Sequence, residues 1–308
     1  GEPEFAPLRR AMLDGRDAGV FALHLHGMEH FWPPALEAAA AAEPAARAFL
    51  EARGEVPRHE SLPSHLQARW IDAARLPSSP LDASEVARAV AEEVACFERV
   101  FGAAPRVAVP VTFTWTADVE SAWARHGIRI VVTPGTRNLG RDARGGLIGD
   151  GSDLRNGGQG AGGVVHVVRD VYFEPALGHR AGDVLPQVLE RTRLGRPALL
   201  ETHRFNFTGE RAEAERSLAE LRALLESATA ALPGLRFMST EALGEALRSG
   251  DPALIDRRPA ARVRALVLRA ATASRLRKLA WASGLALLAA AVYAAADFLA
   301  PPRPAPGR

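Results

Sequence analysis

The sequence predicts an α/β fold in which parallel strands close into one (β/α) barrel, followed by a C-terminal transmembrane helix. Residues 107–132 read as strand, loop, helix and strand, which is the repeat unit of parallel α/β proteins. Several apolar strands end in polar clusters, as they do where α/β barrels build their sites. The chain has 308 residues, 47% of them apolar, so it is long enough to bury one large core.

Composition excludes one class of partner and leaves the redox compartment open. The formal net charge is +2, Lys278 is the only lysine, and no basic block with interleaved aromatic residues indicates nucleic-acid binding. The single cysteine, Cys96, lies in an apolar helical pattern and is predicted to be a core residue, so no disulfide forms within the chain. The sequence starts at Gly1 without a methionine, and we expect the natural N-terminus to lie upstream. No pattern predicts the oligomeric state.

Hydrophobic periodicity and breaking residues define the elements in order. We predict helices at 4–17, 35–53, 82–102, 116–127, 182–194, 210–232 and from 239, and strands at 20–25, 107–109, 128–132, 164–168, 197–207 and 235–238. The third helix is the best defined, because Asp82 or Ser84 can cap it and apolar residues recur every 3.6 positions at Val86, Val90, Val94 and Phe97. The glycine-rich stretch 157–163 lacks the GK[ST] ending of a phosphate loop and does not follow a strand.

The first strand ends in a group of polar residues, His24, His26, Glu29 and His30. His26 and His30 are four residues apart, so one helical turn after the strand places both imidazoles on the same side, and Gly27 permits the bend. Converging imidazoles suit a zinc-type ion, which takes nitrogen ligands at roughly 2.0–2.1 Å. The alternative is that these residues only cap the strand without an ion.

The C-terminal segment predicts a membrane anchor. Residues 279–299 are about 20 mostly apolar residues, which at 1.5 Å per residue can cross a hydrocarbon core of about 30 Å. Six basic residues precede the segment and two follow it, which by the positive-inside rule places the main domain in the cytoplasm. We therefore predict a barrel at 1–250, a basic amphipathic linker at 251–278, a transmembrane helix at 279–300 and a tail at 301–308.

Three motifs along the chain resemble those of the polysaccharide deacetylases, the NodB-homology or carbohydrate esterase family 4 group. The string His26-Gly-Met-Glu-His30 is similar to the strand-end H-[ST]-x-x-H of that family, and Leu200-Glu-Thr-His203 is similar to its late L-x-x-H. Residues 107–113 with 127–131 echo its R-x-P-[YF] strand end without the arginine. The resemblance covers residues 20–245 and implies a distorted, seven-stranded barrel.

The resemblance also implies a chemistry and a set of site residues. The expected reaction is metal-dependent removal of N-acetyl groups from a polysaccharide or a lipid-linked sugar. His26 and His30 would hold the divalent ion, most readily zinc, and His203 would protonate the departing amine. The remaining candidates, which would orient the imidazoles or contact the sugar, are His24, Glu29, Asp170, Glu174, Glu201, Arg204, Trp32 and Trp115. All of this requires the imidazoles of His26, His30 and His203 to meet at one rim of the barrel.

Two alternatives remain open at this stage. The aspartate-rich first motif of the family does not precede Val20, and Asp14 and Asp17 replace it poorly. A non-catalytic, glycan-binding or partner-binding membrane protein is therefore the second hypothesis. The third is an inverted zinc peptidase, because His26-x-x-Glu29-His30 is also the H-x-x-E-H string, which has to lie within a helix.

Overall fold

A computed structural model describes residues 5–53, 57–272 and 274–300, so the predicted tail at 301–308 lies outside the described residues. The helices of the described chain are α1 Ala6–Asp17, α2 Pro33–Ala39, α3 Pro44–Glu51, α4 Ala83–Phe101, α5 Ala117–Arg125, α6 Ala181–Arg193, α7 Phe205–Thr208, α8 Arg211–Ala231, α9 Thr240–Ser249, α10 Pro259–Thr272, α11 Ser274–Ala282 and α12 Leu285–Leu299. The strands are β1 Ile71–Asp72, β2 Ser79–Pro80, β3 Val107–Ala108, β4 Ile130–Thr133, β5 Asn138–Arg141, β6 Leu147–Gly149, β7 Val165–Val168, β8 Val171–Tyr172 and β9 Leu200–Glu201.

The chain divides into two compact units. The first unit contains the described residues up to Val168 together with Met238–Ser249, and the second contains Arg169–Phe237 together with the described residues from Gly250 onward. Each unit has its own apolar core, and each is described by itself below.

The first unit is built around a three-stranded parallel sheet in the order β3-β4-β7. Leu25 extends this sheet through one parallel bridge to Ala108. Every residue of β4 is buried, because α4 and α5 supply the core on one side and α9 packs against β4 and β7. The predicted helix at 82–102 is confirmed: Asp82 forms a capping box with Glu85, and Gly102 ends the helix in the left-handed conformation.

A buried carboxylate ties α5 to β7 and to the glycine-rich stretch in the first unit. Glu120 accepts hydrogen bonds from Trp115 Nε1 at 2.9 Å and from the Ala161 backbone N–H at 2.7 Å, and it contacts His166 Nε2 at 2.9 Å. Burial would raise the pKa of Glu120, but these hydrogen bonds outweigh it and lower the pKa. A Cβ on Gly160 would lie 2.4 Å from Glu120 Oε2, so only glycine fits there.

The second unit contains the parallel pair β8 and β9 with α6 and α8 packed beside it. Its core consists of Val171, Phe173, Val184, Val188 and Leu224. Because side chains alternate along a strand, Val171 faces this core while Tyr172 faces outward.

The predicted barrel, whether an ordinary (β/α) barrel or the distorted seven-stranded type, is wrong. The described strands are two to four residues long and form four separate sheets of two or three strands, and none of these sheets closes. The predicted strand at 20–25 contributes only Leu25, and Val20 and Phe21 are exposed. A barrel needs every strand to pair on both sides over several residues, and segments this short do not supply those bonds.

The predicted transmembrane helix is also wrong. Gly284 adopts φ +75° and separates α11 from α12, so the apolar run is not one helix. At 1.5 Å per residue the 15 residues of α12 span about 22 Å, which is short of a hydrocarbon core of about 30 Å. None of the helices in the described ranges is long and apolar enough to cross a membrane. The single-pass membrane localisation, the membrane partner and the cytoplasmic orientation argued from charge are therefore withdrawn.

Asp297, the one acidic residue of the apolar segment 279–299, has an arginine partner within the second unit. Asp297 accepts a hydrogen bond from Arg264 Nη1 at 2.9 Å, and the same guanidinium donates to the Ala300 carbonyl at 2.7 Å. Arg264 lies on α10 and connects it to α12. The predicted linker at 251–278 therefore contains a packed helix.

Candidate functional site

The clearest functional geometry in the second unit is a carboxylate–imidazole pair formed by Glu174 and His203. His203 Nδ1 lies 2.5 Å from Glu174 Oε1, and the His203 backbone N–H donates to Glu174 Oε2 at 3.2 Å. Glu174 is fully buried, whereas 49% of the His203 side chain is exposed. A carboxylate only accepts, so Nδ1 carries the proton and Nε2 is the atom available to a reacting group.

Asn206 completes the support of this pair. Its side-chain Nδ2 donates to Glu174 Oε2 and to the His203 carbonyl, the latter at 2.7 Å. Its Oδ1 accepts from the Ala176 backbone N–H at 2.9 Å. Asn206 is buried on the single turn of α7 that follows His203, so the carboxylate is held from two sides.

The surroundings of His203 combine charge with exposed rings. Glu201 lies 3.8 Å from His203 Nε2 and forms an ion pair with Arg169 at 2.8 Å. The Tyr172 and Phe205 rings lie 6.4 Å and 6.0 Å from the His203 ring, measured between centroids. The structure therefore brings together three residues that the sequence predicted, Glu174, Glu201 and His203.

In the first unit, three imidazoles lie in a row. The ring centroids of His26 and His30 are 4.8 Å apart, and those of His30 and His59 are 4.0 Å apart. His26 Nδ1 donates to the Val109 carbonyl at 2.8 Å, which orients the ring. Burial lowers the pKa of His30 to about 4, with help from His26 and His59, so this imidazole is neutral at pH 7.

The fit of a divalent ion to this row is incomplete. Imidazole nitrogens suit zinc, and the carbonyl that holds His26 is the kind of partner that orients a metal-binding imidazole. However, no group of three or more His, Cys, Asp or Glu side chains in the described part of the chain has the geometry to hold a metal ion. The divalent ion stays a prediction, and the chemistry proposed below does not depend on it.

The carboxylate of Glu29 forms an ion pair with a buried arginine, Arg69. Its carboxylate lies 3.0 Å from Arg69 Nη1, and the Arg69 guanidinium lies between the Trp32 and Trp70 rings at 5.3 Å and 5.6 Å from their centroids. Burial raises the pKa of Glu29, and the positive charge of Arg69 acts in the opposite direction. Residues 26–30 form no helix, so the geometry that the peptidase hypothesis needs is not present here.

Glu93 is a buried carboxylate of α4 that lies next to the same loop. Its Oε1 accepts a hydrogen bond from Trp123 Nε1 at 2.7 Å, and its Oε2 is buried with no hydrogen-bond partner among the described residues. Gly27 has φ +78°, and a Cβ there would lie 3.1 Å from Val111 Cγ2 and 3.9 Å from Glu93 Oε2. Burial raises the pKa of Glu93 to about 7, against the Trp123 hydrogen bond and the charge of Arg69.

We expect Glu93→Gln to remove a pH-dependent loss of stability. The pKa of Glu93 is raised in the folded state, so its contribution is fully present below the unfolded pKa of 4.5 and is lost as pH rises through about 7. Between pH 5 and pH 8 the wild-type protein should lose about 2.5 kcal/mol relative to the variant, at 1.36 kcal/mol per unit of pKa. Urea unfolding at both pH values measures this. Glu98→Gln, an exposed change on the same helix, should leave the pH dependence as it is, and equal pH slopes for wild type and Glu93→Gln would refute the prediction.

The other predicted site residues are not part of this pair or of the row of imidazoles. Trp32 and Trp115 are buried in the core, so neither ring presents a face to a sugar. His24 is partly buried, burial lowers its pKa, and its Nε2 has no hydrogen-bond partner in the described ranges. Asp170 pairs with Arg191 at 2.5 Å. Arg204 is exposed and precedes α7.

Four residues at these sites were not predicted from the sequence: Asn206, His59, Arg69 and Glu93. Two of them carried a signal that was available. Glu93 interrupts the apolar stripe between Val90 and Val94, and a carboxylate at a core position of a helix is unusual enough to deserve notice. Asn206 follows His203 by three residues, the spacing of one helical turn. His59 and Arg69 had no such signal, because only tertiary contacts bring them to the loop.

No protein-family model, no curated protein and no solved structure matches this chain. The resemblance to the deacetylases therefore remains a prediction drawn from the motifs.

Proposed function

We propose that this protein is a hydrolase that removes N-acetyl groups from a carbohydrate, with Glu174 and His203 as its proton-transfer pair. The observation that carries the proposal is the 2.5 Å contact between the fully buried Glu174 carboxylate and the half-exposed His203 imidazole. Such a pair is the usual arrangement for general acid–base catalysis, because the carboxylate fixes the ring and stabilises its protonated form. The choice of an N-acetyl sugar rests on the motif resemblance alone. The proposed step uses Glu174 and His203 without the barrel rim at which His26, His30 and His203 were predicted to meet, because the described strands form no barrel.

The proposed role of His203 follows from its hydrogen bonds. Glu174 holds the Nδ1–H, so Nε2 faces the reacting groups. When water adds to the acetyl carbonyl, Nε2 accepts its proton, and Nε2 then gives that proton to the amine as the C–N bond breaks. The products are acetate and a free amino sugar. Asn206 is a positioning residue, because it donates to the Glu174 carboxylate and to the His203 carbonyl and so keeps the two residues aligned.

His203→Ala tests this proposal. We expect the rate of acetate release from N-acetylated oligosaccharides to fall by about 100- to 10,000-fold, the usual contribution of a general acid–base group. The ring is half exposed, so circular dichroism should show an unchanged fold. His126→Ala is the control, because His126 is an exposed histidine that follows α5 in the first unit and has no role in the proposed pair. Equal rates for wild type and His203→Ala would refute the proposal.

The predicted divalent ion needs a separate measurement. Elemental analysis of the purified protein for zinc and other divalent metals, repeated on His26→Ala with His30→Ala, tests the two imidazoles as ligands. A stoichiometric ion that the double variant loses supports the prediction, and metal-free active protein rejects it.

The same assays distinguish the hydrolase from the second hypothesis, a non-catalytic protein that binds a glycan or a partner. Under that hypothesis the wild-type protein binds oligosaccharide but releases no acetate, and His203→Ala changes neither result.

A further inference from the structure

Two exposed aromatic rings flank the imidazole of His203 in the second unit. Tyr172 is 44% exposed and Phe205 is 45% exposed, so both present apolar surface beside a polar group with a candidate catalytic role. The planes of the His203 and Phe205 rings are nearly parallel, at 7°, while Tyr172 meets the imidazole at 65°. Both rings therefore lie close enough to the imidazole for one ligand to contact them and His203 together.

The local structure explains why these rings face outward together. Tyr172 on β8 is the register partner of Glu201 on β9, and register partners on neighbouring strands share a face of the sheet. The preceding residue, Val171, is fully buried in the core of this unit, which fixes Tyr172 on the opposite face. Phe205 is the first residue of α7, whose position is set by the buried Asn206.

Polar groups also lie beside these rings. Arg169 and Glu201 form an ion pair at 2.8 Å, and Glu201 is also 3.8 Å from His203 Nε2. Small-molecule sites typically combine aromatic surface with a few placed polar groups. A pyranose ring matches this combination, because its C–H face carries partial positive charge that is attracted to the negative face of an aromatic ring, while its hydroxyl groups bind charged side chains.

We propose that Tyr172 and Phe205 form an aromatic platform that binds a pyranose ring of the substrate and holds it against His203. This inference rests on the proposed function for its choice of N-acetylated sugar as ligand. It differs from the prediction that Trp32 and Trp115 contact the sugar, because those two rings are buried.

Calorimetric titration of the protein with N-acetylglucosamine oligomers tests the platform. Tyr172→Ala and Phe205→Ala should each weaken binding by about 10-fold, whereas Tyr172→Phe and Phe205→Tyr, which retain the rings, should stay within about threefold of wild type. Phe237→Ala is the control, since Phe237 is a 65% exposed ring of the same unit that lines a different groove, with Leu225 and Thr229. Unchanged binding in both alanine variants, or no binding by the wild-type protein, would overturn the platform.

The outcome is separable from that of the proposed hydrolase activity. If wild type releases acetate but the alanine variants keep its KM and its affinity, the platform is wrong and the activity stands. If wild type releases no acetate but its binding depends on Tyr172 and Phe205, the platform stands and the hydrolase proposal fails.

Discussion

Glu174→Gln should reduce kcat for acetate release by about 100- to 10,000-fold and change KM by no more than about threefold. The change preserves the shape of a fully buried side chain but removes the negative charge that lies 2.5 Å from His203 Nδ1. Without that charge the protonated imidazole is no longer stabilised, and the amide can also present a donor that selects the wrong tautomer of the ring. The loss is therefore expected in the chemical step, while the exposed surface proposed to bind the sugar is unaltered.

A double-variant comparison shows whether the two residues act as one unit. Because Glu174 works through His203, the Glu174→Gln/His203→Ala protein should be about as slow as His203→Ala alone. Glu190→Gln, a half-exposed change on α6, serves as the control and should keep the wild-type rate. Additive losses in the double variant, or an unchanged kcat in Glu174→Gln, would show that the carboxylate does not support the imidazole.

Glu120→Ala should destabilise the first unit by about 3–5 kcal/mol. The substitution leaves the Trp115 indole N–H, the Ala161 backbone N–H and His166 Nε2 without their acceptor in a region that excludes water. Removing one member of a buried, hydrogen-bonded charge network typically has a cost of this size, because the remaining polar groups stay desolvated. The fourth neighbour, Arg137, lies 3.8 Å from the carboxylate and would lose an opposite charge.

Urea unfolding followed by tryptophan fluorescence measures this effect in the relevant part of the molecule. Four of the five tryptophans, Trp32, Trp70, Trp115 and Trp123, belong to the first unit, so their signal reports its unfolding. Asp118→Ala is an exposed change in the first turn of the same helix and should cost no more than about 1 kcal/mol. A Glu120→Ala protein within about 1 kcal/mol of wild type would mean that the network contributes little.

The sequence predicted the candidate site better in one unit than in the other. The resemblance to the deacetylases named Glu174, Glu201 and His203 among its site residues. The structure brings them together because β8 and β9 are adjacent parallel strands that end on the same side. For His26 and His30 the predicted proximity is present, but the third ring beside them is His59, 29 residues beyond His30 in the sequence. No spacing rule connects residues that far apart.

The errors have a common physical origin. The predicted strand at 20–25 and the predicted span at 279–299 were both inferred from runs of apolar residues. The strand prediction failed because an apolar run is buried only when other residues cover it, and the structure leaves Val20 and Phe21 exposed. The prediction of a membrane span failed because Gly284 divides the run and leaves α12 too short. Trp115 is the opposite case. It was predicted to contact the sugar, but it is buried, and Glu120 accepts the hydrogen bond of its indole N–H.

By itself the sequence determined the elements whose signals lie within a few neighbouring residues: α4 with its Asp82 cap and Gly102 end, α5, and the apolar strands of the three-stranded parallel sheet. Only the tertiary structure decided that the sheets stay small and open and that Gly284 divides the apolar C-terminal segment. It also decided that Glu93 lies near Gly27 and that Asn206 lies beside His203. Caps and helical periodicity depend on contacts within one or two turns, which the residue order contains directly. Strand pairing, burial and the partners of a charge depend on residues far apart in the chain, and these become neighbours only after folding.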